Sequence, residues 1–260
     1  MFRSLQIAAT GMVAQETKLD TIANNLANAN TAGYKRQDAE FEDLLYQTER
    51  GAGLGPGDIA GPSTVQLGSG ARVVATSRHL SQGAVQQTGN PLDVAIEGNG
   101  LLVVTRDDGT NAFTRAGALK VDSDGRLVTS DGLPVEPPIS LPAEATEIAI
   151  SSDGRVTVVT PGQTQPTELG RLQLATFTNP AGLSAIGHNL FLASPSSGEP
   201  SIGDVGADGR GTVMQGALES SNVEVVDEMI ALIRTQRAYE INSKVVTAAD
   251  EMLRSATQLR

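Results

Sequence analysis

The residue types that most enzymes use for catalysis are sparse in this sequence. The chain contains two histidines, His79 and His188, and no cysteine. A lone histidine beside a turn is far more often a surface or hydrogen-bonding residue than a general base. The absence of cysteine excludes disulfides, thiolate chemistry and cysteine-ligated metals. We therefore expect no catalytic residue, no metal site and no cofactor, and we predict that the chain is not an enzyme.

Two short segments resemble ligand-binding loops but lack the residues that bind the ligand. The segment 122–125, Asp-Ser-Asp-Gly, begins like a calcium loop, but the third acidic ligand and the final glutamate are missing, which favours a hairpin turn. The glycine-rich segment 51–57 has neither the G-x-G-x-x-G spacing nor the lysine of a phosphate-binding loop. Neither segment indicates a cofactor.

The chain is acidic, with 19 Lys and Arg against 30 Asp and Glu and a net charge of −11. Nucleic acids and anionic lipids bind basic surfaces, so we expect neither as a partner. No run approaches the roughly 18 apolar residues of a membrane span, and no apolar segment with a cleavage site follows Arg3. We predict no membrane insertion and no cleaved signal peptide. The protein either stays in the cytosol or leaves by a route that does not cleave its N-terminus.

Apolar residues recur with a seven-residue period through the first thirty positions. The repeating positions are Leu5, Ala8, Met12, Gln15, Leu19, Ile22, Leu26 and Ala29. All of them except Gln15 are apolar, which predicts a helix that packs along another helix as a coiled coil. The helix should end near Asn30, because Asn30-Thr31-Ala32-Gly33 suits a left-handed C-cap.

A second long helix is predicted from Asn222 to Leu259. Ser221 and Glu224 have the spacing of a capping box, and neither proline nor glycine follows. The apolar positions of this helix are Val226, Met229, Ile233, Ile241, Val245, Ala248, Ala249, Met252, Ala256 and Leu259. At 1.5 Å per residue such a helix spans roughly 57 Å, too long to be buried in a domain of its own. Two interpretations stay open: an intramolecular helical hairpin, or a helix pair that offers its remaining apolar surface to other copies.

The residues that follow the first helix give weaker signals. Phe41–Leu45 could form a short amphipathic helix. The segment from Arg50 to Leu67 is rich in glycine and proline and predicts a long loop or an irregular hairpin.

The middle of the chain, from about Thr64 to Leu218, predicts antiparallel β-structure. Apolar residues alternate with polar ones, and two strands are expected around Gly98-Asn99-Gly100. Five Asp-Gly pairs favour primed hairpin turns.

The predicted fold is α+β, with the terminal helices paired as a coiled coil and a hairpin-rich antiparallel β-region inserted between them. We assign residues 1–35 and 220–260 to the helical domain and residues 36–95 and 203–219 to a connecting β-domain. Residues 96–202 form an outer β-domain in this division.

Four segments of the sequence resemble the flagellar basal-body rod and hook proteins. They are ANNLANANTAGYKR after position 22, LDVAIEGNGLLVV after 91, FTRAGALKVDSDGRLV after 112 and the C-terminal segment that begins SNVEVVDEMIALIRTQRAYE at 221. The family signature residues are Asn24, Asn25, Leu26, Asn28, Gly33 and Tyr34. The resemblance covers nearly the whole chain in the right order. Its length and the continuation AEFEDLLYQ with a glycine-rich loop are most similar to the distal-rod group.

The resemblance implies a structural subunit of the bacterial flagellum, with no cofactor, that assembles as a helical polymer. Its implied partners are further copies, the proximal rod, the hook, the ring proteins that surround the rod in the periplasm, and the type III export apparatus. Terminal helices would line the inner tube through Leu5, Met12, Leu19, Ile22, Leu26, Val226, Met229, Ile233, Ile241, Val245, Met252 and Leu259.

The same resemblance implies roles for two further segments. Phe41 and Leu45 are similar to the aromatic export element of rod and hook substrates, although a packing patch is an equally good interpretation. The segment from about Arg50 to Leu67 resembles a rod-specific loop, for which we predict a stiffening role. Its apolar anchors would be Leu54, Ile59, Val65 and Leu67.

Other functions remain open at this point. A proximal rod or hook subunit belongs to the same family. A monomeric periplasmic binding module belongs to a different class, but it would have no need of two long unpaired helices.

Overall fold

The protein combines two long helices with many short antiparallel strands. The structure is a computed structural model that describes residues 2–50, 65–145, 147–162 and 165–258. It confirms the predicted α+β class, and the two helices contact each other. Within the described residues, neither helix is long and apolar enough to cross a membrane.

The described chain contains two α-helices, one short 3-10 helix and nineteen strands. The helices are α1 (Phe2–Ala27) and α2 (Val225–Gln258), and the 3-10 helix is Pro180–Gly182. The strands of the first half are β1 (Gln37–Asp43), β2 (Gln47–Arg50), β3 (Val65–Leu67), β4 (Ala71–Arg78), β5 (Val85–Gln87), β6 (Val94–Glu97), β7 (Leu101–Thr105), β8 (Asn111–Thr114), β9 (Leu119–Val121) and β10 (Leu127–Thr129). The strands of the second half are β11 (Glu147–Ile150), β12 (Arg155–Val159), β13 (Thr167–Arg171), β14 (Gln173–Thr176), β15 (Ser184–Gly187), β16 (Leu190–Leu192), β17 (Ser201–Asp204), β18 (Thr212–Gln215) and β19 (Ala217–Glu219).

The chain divides into two compact units. The helical unit contains residues 1–27, 37–78 and 224–260, and the β-body contains residues 28–36 and 79–223. The three-part division expected from the sequence stays a prediction.

In the helical unit, α1 packs against α2, β1 and β4. Strands β1 and β4 form an antiparallel ribbon, and β2 pairs with β3 at the base of the segment that the sequence predicts as a loop. Helix α1 ends at Ala27, three residues before the expected position, and Gly33 adopts the predicted left-handed conformation with φ +73°.

The prediction of a short helix at Phe41–Leu45 is wrong. Phe41 lies in β1 opposite Val73, and Ala39 on the same strand is buried. Residues Gln37 to Asp43 pair with β4 as an antiparallel ladder. The hydrogen bonds of this ladder outweigh a weak helical signal that covers only one turn.

The expected capping box of α2 is also wrong. The helix begins at Val225, and its first described backbone bond runs from the Glu228 N–H to the Glu224 carbonyl at 3.0 Å. The Ser221 hydroxyl accepts a hydrogen bond from the Val223 N–H at 3.3 Å and therefore stabilises a turn outside the helix. Asn222, predicted as the start of the helix, bonds instead to backbone groups of the β-body.

The β-body has its core between small antiparallel sheets. The largest sheet has the strand order β15-β16-β8-β7-β14-β17, and a three-stranded sheet has the order β11-β12-β13. Three further two-stranded sheets pair β5 with β19, β6 with β18, and β9 with β10. The largest fully buried apolar side chains are Val94, Ile96, Leu102, Phe113, Leu119, Leu127, Ile139, Leu172 and Leu174.

The turns of the β-body differ from the predicted primed type. At four of the five Asp-Gly pairs only the glycine has a positive φ, and the loop has three residues closed by a left-handed glycine. At Asp208-Gly209 both residues have positive φ, but this turn joins strands that pair with other partners. The two-residue primed geometry falls on His188-Asn189, with φ of 53° and 56°, between β15 and β16.

The strands expected around Gly98-Asn99-Gly100 are present, but they do not form a hairpin. Strand β6 pairs with β18, whereas β7 pairs with β8 and β14. The segment therefore connects two sheets, and the local pattern predicted the strands without their partners.

Candidate assembly surface and junction cluster

Helix α2 presents small and polar side chains to α1. Its buried residues Glu228, Thr235 and Ala249 and the half-buried Asn242 recur every seven positions. Asn242 lies against Gly11 of α1, where a Cβ atom would come within 3.0 Å of the amide nitrogen. Along this line α2 therefore contributes small and polar side chains, and it approaches α1 closely at Gly11.

Helix α2 also carries a stripe of exposed apolar side chains outside this buried line. Six large apolar side chains predicted as interface residues are between 41% and 63% exposed. They are Val226, Met229, Ile233, Ile241, Val245 and Met252, and Ile230 lies among them at 43%. Leu259 lies outside the described residues. Soluble monomers rarely expose a continuous apolar strip of this length, and such strips mark interaction surfaces.

The predicted interface residues of α1 are less accessible. Ile22 is buried, and Leu5, Met12, Leu19 and Leu26 are half-buried. Helix α1 also covers β1 and β4, which accounts for part of this burial.

One of the signature asparagines, Asn25, binds the chain's own backbone. Asn25 is 1% exposed, and its amide donates to the Gln37 carbonyl at 2.7 Å and accepts from the Gln37 N–H at 2.9 Å. Asn28 accepts a bond from the Thr31 hydroxyl at 3.2 Å, whereas Asn24 is exposed. Asn25 thus fixes the start of β1, a role that the sequence analysis did not predict.

Three charged side chains that the sequence analysis missed are buried together in the β-body. Glu219 accepts bonds from the Lys35 ammonium at 2.5 Å and from Arg115 Nε at 2.5 Å, and the Gly83 N–H donates to it at 2.8 Å. The side chains of Lys35, Arg115 and Glu219 are 0%, 4% and 1% exposed. We call Lys35, Arg115 and Glu219 the junction cluster.

Backbone carbonyls complete the coordination of the two cations. Lys35 donates to the Ser81 carbonyl at 2.7 Å. Arg115 donates to the carbonyls of Ile96, Gly98 and Gly100 at 2.6–2.9 Å. Buried charges are tolerated when they are paired and hydrogen-bonded in this way.

The cluster shifts the protonation equilibria of its own members. Burial lowers the pKa of Lys35, and the hydrogen bond to Glu219 opposes that change only in part. Burial alone would raise the pKa of Glu219, but Arg115, Lys35 and the Gly83 N–H together hold it below its ordinary value. Burial therefore outweighs the ion pair at Lys35, whereas at Glu219 the two cations and the Gly83 N–H outweigh burial.

The cluster lies where the β-body chain continues into the helical unit. Asn222 accepts a bond from the Arg36 N–H at 2.7 Å and donates to the His79 carbonyl at 2.8 Å, and the His79 N–H donates to the Arg36 carbonyl at 2.9 Å. Arg36 and His79 are boundary residues of the β-body. Segments distant in the sequence are thus tied together where they leave this unit.

Gly33 packs against backbone in the same region. Its N–H donates to the Glu219 carbonyl at 2.8 Å, and a Cβ atom would lie 2.6 Å from the Ala116 nitrogen. The signature glycine is therefore required both for its φ of +73° and for this close approach.

A matched glycine pair tests that requirement. We expect Gly33→Ala to lower the melting temperature well beyond Gly89→Ala, because Gly89 has the same φ of +73° but open space around it. The left-handed conformation costs about 1–3 kcal/mol at either site, and the clash adds about 1–3 kcal/mol at Gly33 alone. Thermal denaturation of both variants measures the difference. Equal melting temperatures would contradict the close-packing role.

A cavity of about 350 Å³ opens beside the junction cluster. Its walls include Lys35 and Arg115 together with the apolar side chains of Leu80, Leu101 and Phe177. We call it the junction cavity. Among the described residues, no group of three or more histidine, aspartate or glutamate side chains is placed to hold a metal ion.

The residues assigned to export and stiffening lie at the surface where they are described. Phe41 is 38% exposed, with the Lys18 ammonium 5.6 Å from its ring centre, and Leu45 is 88% exposed. Leu67 is 38% exposed. Leu54, Ile59 and the side chain of Val65 lie outside the described part of the chain.

Comparison with known proteins matches three segments to flagellar families. Residues 5–35 match the flagella basal body rod protein family. Residues 95–158 match the flagellar hook protein FlgE/F/G D1 domain, and residues 214–259 match the flagellar basal body rod FlgEFG protein C-terminal family.

Full-length relatives decide the family. The chain is 47% identical to the flagellar basal-body rod protein FlgG of Borreliella burgdorferi over 100% of this chain and 99% of that protein. It is 46% identical to FlgG of Caulobacter vibrioides over 99% of each chain, and 45% identical to FlgG of Buchnera aphidicola over the full length of both. The chain belongs to the FlgG family of flagellar basal-body rod proteins. This finding confirms the resemblance identified from the sequence.

The junction cluster draws one residue from each segment that matches a flagellar family. Lys35 ends the first matched segment, Arg115 lies in the second and Glu219 in the third. Glu219 is 184 positions from Lys35 and 104 from Arg115, so no spacing rule could have connected them. The local sequence gives only a weak signal, a glycine two or three positions away from each of the three residues.

Proposed function

We propose that this chain is a non-enzymatic structural subunit of the flagellar distal rod. Copies would assemble into a rigid helical tube that encloses the export channel and transmits motor torque to the hook. The full-length identity to FlgG proteins supports the rod assignment. The observation that carries the proposal is the exposed apolar stripe of α2, because only a partner molecule can remove it from water.

The chemistry of the helix pair supports the same proposal. The side of α2 that packs on α1 carries Thr235, Asn242 and Ala249. The isoleucines and methionines of α2 are exposed to solvent. Burial of apolar area stabilises by roughly 25 cal/mol per Å², so the stronger contact of α2 lies with other copies. The coiled-coil pairing predicted from the sequence is proposed here for the assembled state. An open, heterologous interface of this kind generates a helical filament.

The proposal is tested by assembly of the purified chain. Light scattering should rise with concentration, and negative-stain electron microscopy of the same samples should show tubes or rings. A chain that stays monodisperse at every concentration and never forms tubes or rings would favour a monomeric binding module instead. A tube with the curvature of a hook would favour the hook alternative within the family.

We expect the terminal helices to exchange amide hydrogens much faster in the free subunit than in the polymer. The physical reason is that the buried residues of α2 are small or polar, which should leave the free energy of local opening low. Hydrogen exchange by mass spectrometry on both states measures this, with the strands of the β-body as the internal reference. Strong protection of residues 19–29 in a monodisperse sample would contradict the expectation.

The rod-type loop is proposed to dock on neighbouring subunits. We expect deletion of residues 51–64 to leave the melting temperature nearly unchanged, because loop-closure entropy varies slowly with length. The same deletion should make the assembled rod more flexible, since an ordered loop of this composition needs a partner. Curvature measured on micrographs of variant rods checks the second effect. If the variant rods are as straight as the natural ones, the loop does not stiffen the rod. If the melting temperature falls strongly, the loop belongs to the core of its own subunit.

The remaining partners follow from the rod assignment. The subunit would be exported through the flagellar type III apparatus without a cleaved signal peptide and would assemble in the periplasm. The proximal rod, the hook and the surrounding ring proteins would be its neighbours. Phe41 and Leu45 would act as an export element while the chain is unfolded, when strand β1 does not yet exist.

A further inference from the structure

We propose that the Leu45–Tyr46 turn of one subunit inserts into the junction cavity of a neighbouring subunit. This inference rests on the proposed function, because it requires copies to assemble. It adds a second contact between copies, separate from the apolar stripe of α2.

The turn presents an apolar tip in a fixed position. Leu45 is 88% exposed, the largest value among the exposed large apolar residues of the described chain, and Tyr46 is 56% exposed. Hydrogen bonds hold the turn: the Leu44 N–H donates to the Gly70 carbonyl at 2.8 Å, and the Ser69 hydroxyl donates to the Leu45 carbonyl at 2.7 Å. A leucine held in water by ordered backbone gains free energy only when a partner covers it.

The junction cavity has the size and lining to receive such a tip. Its volume of about 350 Å³ lies within the roughly 300–1,000 Å³ of ligand pockets. Leu80, Leu101, Phe177 and Pro180 supply apolar wall, and Thr178 lies at an exposed position of the lining.

The charges of the two surfaces are complementary. Lys35 and Arg115 line the cavity and face one buried carboxylate, Glu219. Asp208 of the lining is paired with Arg210 at 3.0 Å, so the three cations and two carboxylates around the cavity carry a net charge of +1. The tip carries the exposed carboxylate of Asp43, which forms a hydrogen bond with the Tyr46 hydroxyl. Opposite charge selects partner and register at an interface.

The geometry also fits a polymer. Because Leu45 is almost fully exposed in its own chain, the cavity that it fills belongs to another copy. A tip on one surface and a cavity on another form a head-to-tail contact, which propagates without closing.

Cysteine crosslinking tests the contact directly, since the natural chain contains no cysteine. Leu45→Cys and Thr178→Cys are introduced into separate copies of different length, which are mixed, assembled and oxidised. A disulfide-linked pair of one long and one short chain is expected. In the control, Val121→Cys takes the place of Thr178→Cys. Val121 is also exposed, at 42%, but it does not line the cavity.

Assembly energetics give an independent readout. Leu45→Ser should raise the critical concentration for assembly roughly 10- to 100-fold, the loss expected for one buried leucine, with an unchanged melting temperature. The matched control is Val74→Ser, an exposed apolar residue of β4 at 54%. Polymers that form normally without the Leu45–Thr178 crosslink would overturn the inference and leave the proposed function intact. Failure of the unmodified chain to assemble would overturn both.

Discussion

Replacement of Glu219 by glutamine is expected to destabilise the β-body by about 3–5 kcal/mol, the range found when one partner of a buried ion pair is removed. The change leaves Lys35 and Arg115 buried without a counter-charge. For a chain of this size such a loss lowers the melting temperature by roughly 6–20 °C. Circular dichroism or calorimetry of the purified variant measures the shift.

The surface of the same chain offers a matched control. Glu168 also lies between two arginines, 3.2 Å from Arg171 and 3.7 Å from Arg155, but its side chain is 44% exposed. Glu168→Gln should cost no more than about 1 kcal/mol, because water screens exposed ion pairs. Similar losses for both variants would show that burial does not strengthen the junction cluster.

The effect of Glu219→Gln should depend on pH in one direction. Because its pKa is lowered in the folded state, Glu219 contributes stability above the ordinary carboxyl value of 4.5. That contribution is lost as the pH falls below 4.5 and through the folded-state pKa. The stability difference between the natural chain and the variant should therefore be largest near neutral pH and shrink in acid.

Replacement of Ile241 by aspartate is expected to raise the critical concentration for assembly at least about 100-fold. The loss of a buried isoleucine costs about 1.5–3 kcal/mol, an unpaired carboxylate adds a desolvation cost, and every 1.4 kcal/mol is tenfold. Ile241 is 61% exposed in the single chain, so the melting temperature should stay unchanged. Light scattering and thermal denaturation on the same sample separate the two effects.

Thr247→Asp is the control for this variant. Thr247 is exposed on the same helix and receives the same new charge, but at about 100° per residue it lies roughly 120° around the helix from Ile241, on the side away from the neighbouring stripe residues Val245 and Met252. Normal assembly of Thr247→Asp beside failed assembly of Ile241→Asp would locate the interface on the stripe. If the two variants assemble to the same extent, the apolar stripe of α2 is not the interface.

The sequence alone determined the elements whose signals are local and repeated. The seven-residue period predicted α1, and the long run without glycine or proline predicted α2, each with ends within a few residues of the structure. Four of the five Asp-Gly pairs marked hairpins of the β-body, although the turn type differed. These predictions succeed because periodicity and turn residues act over a few neighbouring positions.

The FlgG-family resemblance was also available from the sequence, because it lies in contiguous motifs. The family and the α+β class are confirmed. The interface, export and loop residues remain predictions, since a subunit by itself contains no second copy.

Tertiary structure decided everything that depends on partners distant in the chain. An apolar period shows that a helix face seeks burial but not what covers it, so only the fold revealed that α2 turns Asn242 towards Gly11 and leaves Ile241 in solvent. Phe41 became a strand residue because β4 was there to pair with it. The junction cluster brings Lys35 and Glu219 together across 184 positions, and the free energy of such a pair depends on burial, a property of the folded chain that residue types do not encode.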